Sequence, residues 1–117
     1  MDYDGLCKEI FNVDRKVRFA GISDKSGEIR HGGQREGVRN LLSPEESKKS
    51  LVQAMERWES RSSLEPRIGK GKYALTEYEK IKRITVPLDQ DHLLLVTTEV
   101  DVDHAKIIDA VRKLSKG

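Results

Sequence analysis

Apolar residues switch between helical and extended spacing along this chain, in the order α-β-β-α-β-β-β-α. Tyr3, Leu6, Cys7, Ile10 and Phe11 recur at helical intervals and predict an opening helix over residues 2–13. Residues 16–23 and 27–31 then read as a hairpin around the turn Asp24-Lys25-Ser26-Gly27. The first of these strands has apolar residues on both faces (Val17, Phe19, Ala20, Ile22), which suits an interior strand. The second, Glu28 to His31, is short and polar, as an edge strand tends to be. Gly32 to Gly37 reads as a flexible loop.

The sharpest local signal is Ser43-Pro44-Glu45-Glu46: a capping residue, a proline at the first helical position and a glutamate that closes a capping box. A helix follows to about Arg61, with Leu51, Val52, Met55 and Trp58 on its apolar face. Trp58 can be a core residue or an interface anchor. Residues 62–71, with Pro66, Gly69 and Gly71, read as a connection. Lys72 to Tyr78 reads as a strand, although Thr76-Glu77-Tyr78-Glu79 also fits a capping box and so a helical turn. Ile81 to Leu88 alternates cleanly, with Pro87 confined to its end or to an unpaired side. Leu93 to Val100 is apolar on both faces and predicts the most buried strand. Ile107, Ile108, Val111 and Leu114 stripe a closing helix that starts near Asp101–Asp103.

Length and composition narrow the picture. With 117 residues the chain suits a single α+β domain over 1–117 that buries one core. Cys7 is the only cysteine, so no internal disulfide forms; its place on the apolar stripe makes it a small core residue rather than a reactive thiol. No apolar run has signal-peptide or transmembrane length, and the expectation is a cytoplasmic protein without a membrane partner. The net charge of +2 hides an uneven distribution: residues 57–83 hold eight basic and four acidic residues. Arg57, Arg61, Arg67, Lys70, Lys72, Lys82 and Arg83 are therefore the candidate contacts for an anion or a nucleic acid, with Trp58, Tyr73 and Tyr78 interleaved as stacking platforms. A solvated face with core aromatics is the simpler reading of that stretch, and a nucleic-acid partner is not favoured.

Catalytic chemistry finds no foothold. Asp89-Gln90-Asp91-His92 and Asp101-Val102-Asp103-His104 invite a metal reading. The strand between them would hold them roughly 25 Å apart, and each is explained separately, as a turn and as a helix N-cap. No serine lies in a nucleophile-elbow motif, and His31, His92 and His104 have no evident paired base or nucleophile. The Gly32–Gly37 stretch matches neither a Walker loop nor a dinucleotide fingerprint. The expectation is a non-enzyme without metal or cofactor.

The hairpin Phe19 to Ile29, the pair Arg83-Ile84-Thr85-Val86-Pro87-Leu88 and Leu93-Leu94-Leu95-Val96, and the closing amphipathic helix resemble the roadblock domains of the profilin-like and longin-like group. The chain is also similar to a family of short uncharacterised archaeal proteins, a likeness that brings no function. The roadblock resemblance implies a five-stranded antiparallel sheet with the first and last helices on one face and the middle helix on the other. It also implies a homodimer formed through the middle helix and the adjoining edge strand, here residues 43–61 and 72–78, that serves as an adaptor or small-GTPase regulator. Leu51, Met55, Trp58, Tyr73 and Tyr78 are then the candidate interface, and a charged residue at Trp58 should break the dimer and spare the fold. The long 32–43 approach departs from a minimal roadblock domain and leaves a PAS-like or cache-like ligand sensor, using the sheet and the Gly32–Gly37 loop, as the alternative.

Overall fold

The computed structural model describes residues 2–116. The elements run α1 (Tyr3–Val13), β1 (Val17–Ser23), β2 (Ile29–Gln34), α2 (Pro44–Ser62), α3 (Glu65–Ile68), β3 (Ala74–Glu77), β4 (Ile81–Pro87), β5 (Leu93–Glu99) and α4 (His104–Ser115). The expected order is present with one addition, the single turn α3 inside the segment read as a connection. Pro66 in its first turn favours that turn, and Gly69 ends it at a φ of 85°. Residues 74–77 are a strand, which decides against the helical-turn reading. The Ser43–Glu46 capping box is formed in both directions, and Asp2 and Asp103 cap α1 and α4.

The five strands form one sheet in the order β2-β1-β5-β4-β3, and every neighbouring pair is antiparallel. β5 lies at the centre, as its two apolar faces require: Leu93, Leu94, Leu95 and Val96 are all buried. Register then sorts the side chains. Leu94 stands between Ile22 and Val86, and Val96 between Ala20 and Ile84. This face packs under α1 and α4 through Leu6, Cys7, Ile10, Ile107, Ile108 and Val111. The alternate residues turn toward α2, where Ala54 and Trp58 close over Leu93 with Met55 and Ala74 at the margin. Two helices cover one face and α2 covers the other, so the second core is much the smaller. Burial pushes the Cys7 thiol up to about 11, with Asp4 adding to it, which suits a packing role.

Residues 32–37 correct the sequence reading. Gly32, Gly33 and Gln34 pair with Gly21, Ala20 and Phe19 and extend β2 beyond His31. Glycines show no side-chain alternation, so the strand period is invisible there and only pairing reveals it. Arg35 is also taken up by the fold. Its guanidinium donates to the carbonyl oxygens of Val17 (2.6 Å), Phe11 (2.7 Å) and Asp14 (3.0 Å) and stacks on the Phe11 ring. It thus satisfies orphan carbonyls at the C-terminus of α1 and ties them to β1.

The β1–β2 turn is organised by Asp24. Its carboxylate accepts from the Ser26 hydroxyl at 2.6 Å, the Ser26 and Glu28 N–H groups, and Arg30 Nε at 2.7 Å. The Ser26 hydroxyl first, then Arg30, hold this carboxyl well below the usual carboxylate range. The native state therefore favours the charged form. That contribution is complete above the unfolded value of about 4 and disappears as pH falls toward the lower native value. Asp24→Asn is expected to flatten the fall in Tm between about pH 4 and pH 2. Parallel wild-type and variant profiles over that window would show that Asp24 adds nothing.

Candidate interaction surface

The middle helix α2 covers one face of the sheet and β3 forms its edge, and both use their residues differently from expectation. Leu51 is fully enclosed and Trp58 is 9% exposed. The Trp58 indole N–H donates to the Thr85 hydroxyl at 3.0 Å, and a Cβ at Gly71 would stand 2.6 Å from the ring. The Arg61 guanidinium lies over the ring, 4.7 Å from its centre. Met55 is half-buried against the same small cluster. Leu51 and Trp58 therefore belong to the core of the protomer, because a single helix over this face must supply all of its cover. A charge at Trp58 would attack the fold and not only a dimer, which corrects the earlier expectation.

Tyr73 and Tyr78 are exposed, 43% and 51%, at the two ends of β3. Among the described residues no strand pairs with the outer side of β3. The Tyr78 N–H donates to the Ile81 carbonyl at 2.8 Å. Alternation from that bond, with Thr76 opposite Arg83, turns Thr76 and Ala74 toward β4 and leaves Leu75 and Glu77 with their N–H groups directed outward. The strand is thus an open hydrogen-bonding edge between two tyrosines. Leu64 (52% exposed) and Ile68 (79%) project from the connection that leads from α2 through α3 to β3. In the sequence their signal is weak: two large aliphatics in a stretch otherwise polar.

The basic residues do not form one patch. Arg57, Arg67, Lys70 and Lys72 are exposed, and Arg61 is exposed but stacked on Trp58. Lys82 is buried, 5% exposed, on the opposite face of the sheet, where its ammonium donates to the Val102 carbonyl (3.0 Å) and to His104 Nδ1 (2.8 Å). Consecutive strand residues point to opposite faces, so Lys82 is withdrawn from the α2 side, and the carboxylate it meets is that of the exposed Glu77 at 3.7 Å. Arg83, its neighbour, faces α2 and is half-buried beside Ser50. His104 is thereby engaged with Lys82. His31 and His92 sit around Tyr3 at the sheet margin, with His31 Nδ1 3.0 Å from Asp4 and His92 Nδ1 3.0 Å from Asp89. The Tyr3 hydroxyl donates to Asp89 at 3.0 Å and fastens α1 to the β4–β5 turn. The two Asp/His stretches thus serve a turn clip and a helix cap. Among the described residues no group of three or more His, Cys, Asp or Glu side chains is placed to hold a metal ion, and no helix is long and apolar enough to cross a membrane.

Two concavities border α2. The larger, about 910 Å³, lies against Trp58 and the β4–β5 turn and mixes both signs of charge, including Glu59, Arg61, Lys70 and Asp89. The smaller, about 340 Å³, lies between the N-terminal half of α2, residues 39–43 and the sheet, with an apolar floor at Phe19 and Leu95.

Residues 1–117 match a family of unknown function, DUF6659, over the whole chain. The chain belongs to that family. Among curated proteins none matches it by sequence. Solved structures with the same fold include a Roadblock/LC7 domain from Streptomyces avermitilis, at a TM-score of 0.70 and 15% identity, covering 99% of this chain and 93% of that one. An MglB in a tetrameric arrangement superposes at a TM-score of 0.75 with 10% identity, over 96% of this chain and 81% of that one. A Schizosaccharomyces pombe profilin does so at 0.66 with 12% identity, over 98% and 94%. At these identities the likeness is one of fold: the DUF6659 chain has the roadblock and profilin-like α+β architecture.

Proposed function

We propose that this DUF6659 protein is a non-enzymatic interaction module of roadblock type that forms a homodimer through β3 and α2 and presents the paired surface to a protein partner such as a small GTPase. The observation that carries this reading is the open edge of β3, with two outward N–H groups between exposed Tyr73 and Tyr78. An edge of this kind is completed by another strand, and a second copy of β3 is the strand always at hand. Leu64 and Ile68 add apolar surface on the approach to the same strand. The MglB neighbour, itself found in a tetrameric arrangement, supports an oligomer built on this fold. The nucleic-acid alternative loses ground, since burial of Lys82 and the stacking of Arg61 break up the basic stretch.

Native mass spectrometry of the wild type should give a dimer. Glu77→Pro removes one outward N–H at an edge position where proline is tolerated, and should give a monomer with an unchanged far-UV circular dichroism spectrum. Glu77→Gln keeps the N–H and should remain dimeric. A wild-type monomer, or a Glu77→Pro dimer, would reject pairing through β3.

A further inference from the structure

We infer that the cleft between the N-terminal half of α2, residues 39–43 and the sheet binds a small organic acid, a carboxylate on a compact apolar body, with Arg83 as its counter-ion. The inference stands on the cleft itself and does not depend on the dimer.

Its volume, about 340 Å³, falls at the lower end of the range for small-molecule sites. The floor is apolar, from Phe19 and Leu95 with Ile81 at one margin, and the walls include Leu41 and Leu42. Those two leucines are 49% and 42% exposed, a pair of large aliphatics left facing water at the rim. Such a lining receives an apolar body. The charge needed is set by Arg83. Its guanidinium is half-buried and donates to the Ser50 hydroxyl at 3.1 Å. Among the described residues no carboxylate lies within salt-bridge reach of it, whereas Arg18 in the same cleft is satisfied by Glu99 at 2.8 Å and the Arg39 carbonyl at 2.8 Å. Burial works against the charged form of Arg83, with Arg57 adding to this and the Tyr78 side chain opposing it. Ser50 and Tyr78 offer this half-buried guanidinium neutral oxygens and no anion, and a carboxylate engaged by its planar fork offsets the desolvation cost that remains. The occupant is therefore an acid with its carboxylate toward Arg83 and its apolar part over Phe19 and Leu95.

The test is a nitrogen–proton correlation NMR titration with phenylacetate, and with 2-phenylethanol as its uncharged counterpart. Phenylacetate should shift amides of residues 18–19, 39–43, 81–83 and 95–97, and should bind at least about tenfold more tightly than the alcohol. Arg83→Met, which keeps the length and removes the charge, should lose that preference without losing Tm; Arg83→Lys should recover part of it. Absence of shifts at about 5 mM phenylacetate, equal affinity for acid and alcohol, or an acid preference that survives in Arg83→Met would each overturn the assignment. The titration is repeated on Glu77→Pro. Binding in that variant but not in the wild type would mean that a second copy fills the cleft, and would also overturn it.

Discussion

Replacing Gly32 with alanine is expected to destabilise the protein by about 3 kcal/mol, a loss of roughly 12 °C in Tm for a chain of this size. Gly32 lies in β2 at a φ of 74°, where any L side chain is strained by about 1–2 kcal/mol. An added Cβ would also stand 2.1 Å from the Ala20 carbonyl oxygen and 2.7 Å from Cys7 Sγ. The first of these is backbone in the adjoining strand and the second a buried group of α1, so neither can swing away. Relief requires moving β2 from β1 or α1 from the sheet, an overpacking cost of about 1–3 kcal/mol on top of the strain. Gly37 is the control. It has a similar φ of 81° but open space around its Cα, so alanine there should cost only the backbone term, about 1 kcal/mol. Urea denaturation of both variants separates the two contributions. Equal losses would show that Gly32 is a loop residue after all and that β2 is not held against α1.

Trp58→Ala is expected to cost about 3–5 kcal/mol, the usual range for emptying a large aromatic site. The indole closes the small core formed with Ala54 and Leu93, packs against Gly71 and donates to Thr85. Among the described residues this small core is closed by α2 alone, through Ala54, Met55 and Trp58, so no neighbouring helix takes the place of the indole. Trp58→Phe should retain most of the apolar contact and lose the hydrogen bond, for about 1 kcal/mol. Trp58 is the only tryptophan, so the transition is followed by circular dichroism and not by fluorescence. A stable, folded Trp58→Ala that has become monomeric would return Trp58 to the interface and remove it from the core.

These two residues show where the sequence was legible. Trp58 announced itself as apolar and helical, yet the same stripe serves a core or a dimer equally well. Which one it serves depends on whether a second helix shares the face, and that is not written within α2. Gly32 gave no strand signal at all, because its lack of a side chain erases the alternation that identifies strands. The candidate interface was accordingly half legible: Tyr73 and Tyr78 are exposed as an interface requires, whereas Leu51 and Trp58 are enclosed. Leu64 and Ile68 were missed because an isolated single turn has too few residues to show a period. Of the basic stretch, Arg83 and Lys82 are sequence neighbours that a strand sends to opposite faces, one toward a cleft and the other into a buried hydrogen-bond pair.

Local sequence is enough to specify the order and type of the main elements, the capped start of α2, the Asp24 turn, the edge character of β2, the central character of β5 and the burial of Cys7. These rest on interactions within a few residues or on local periodicity, which short segments express on their own. The tertiary structure alone decided the strand pairing of Gly32 to Gln34, the capture of α1 carbonyls by Arg35, the enclosure of Leu51 and Trp58, the withdrawal of Lys82 and the open edge of β3. Each of these depends on register between segments distant in sequence, and a side chain's face, partner and exposure are set only when that register is closed.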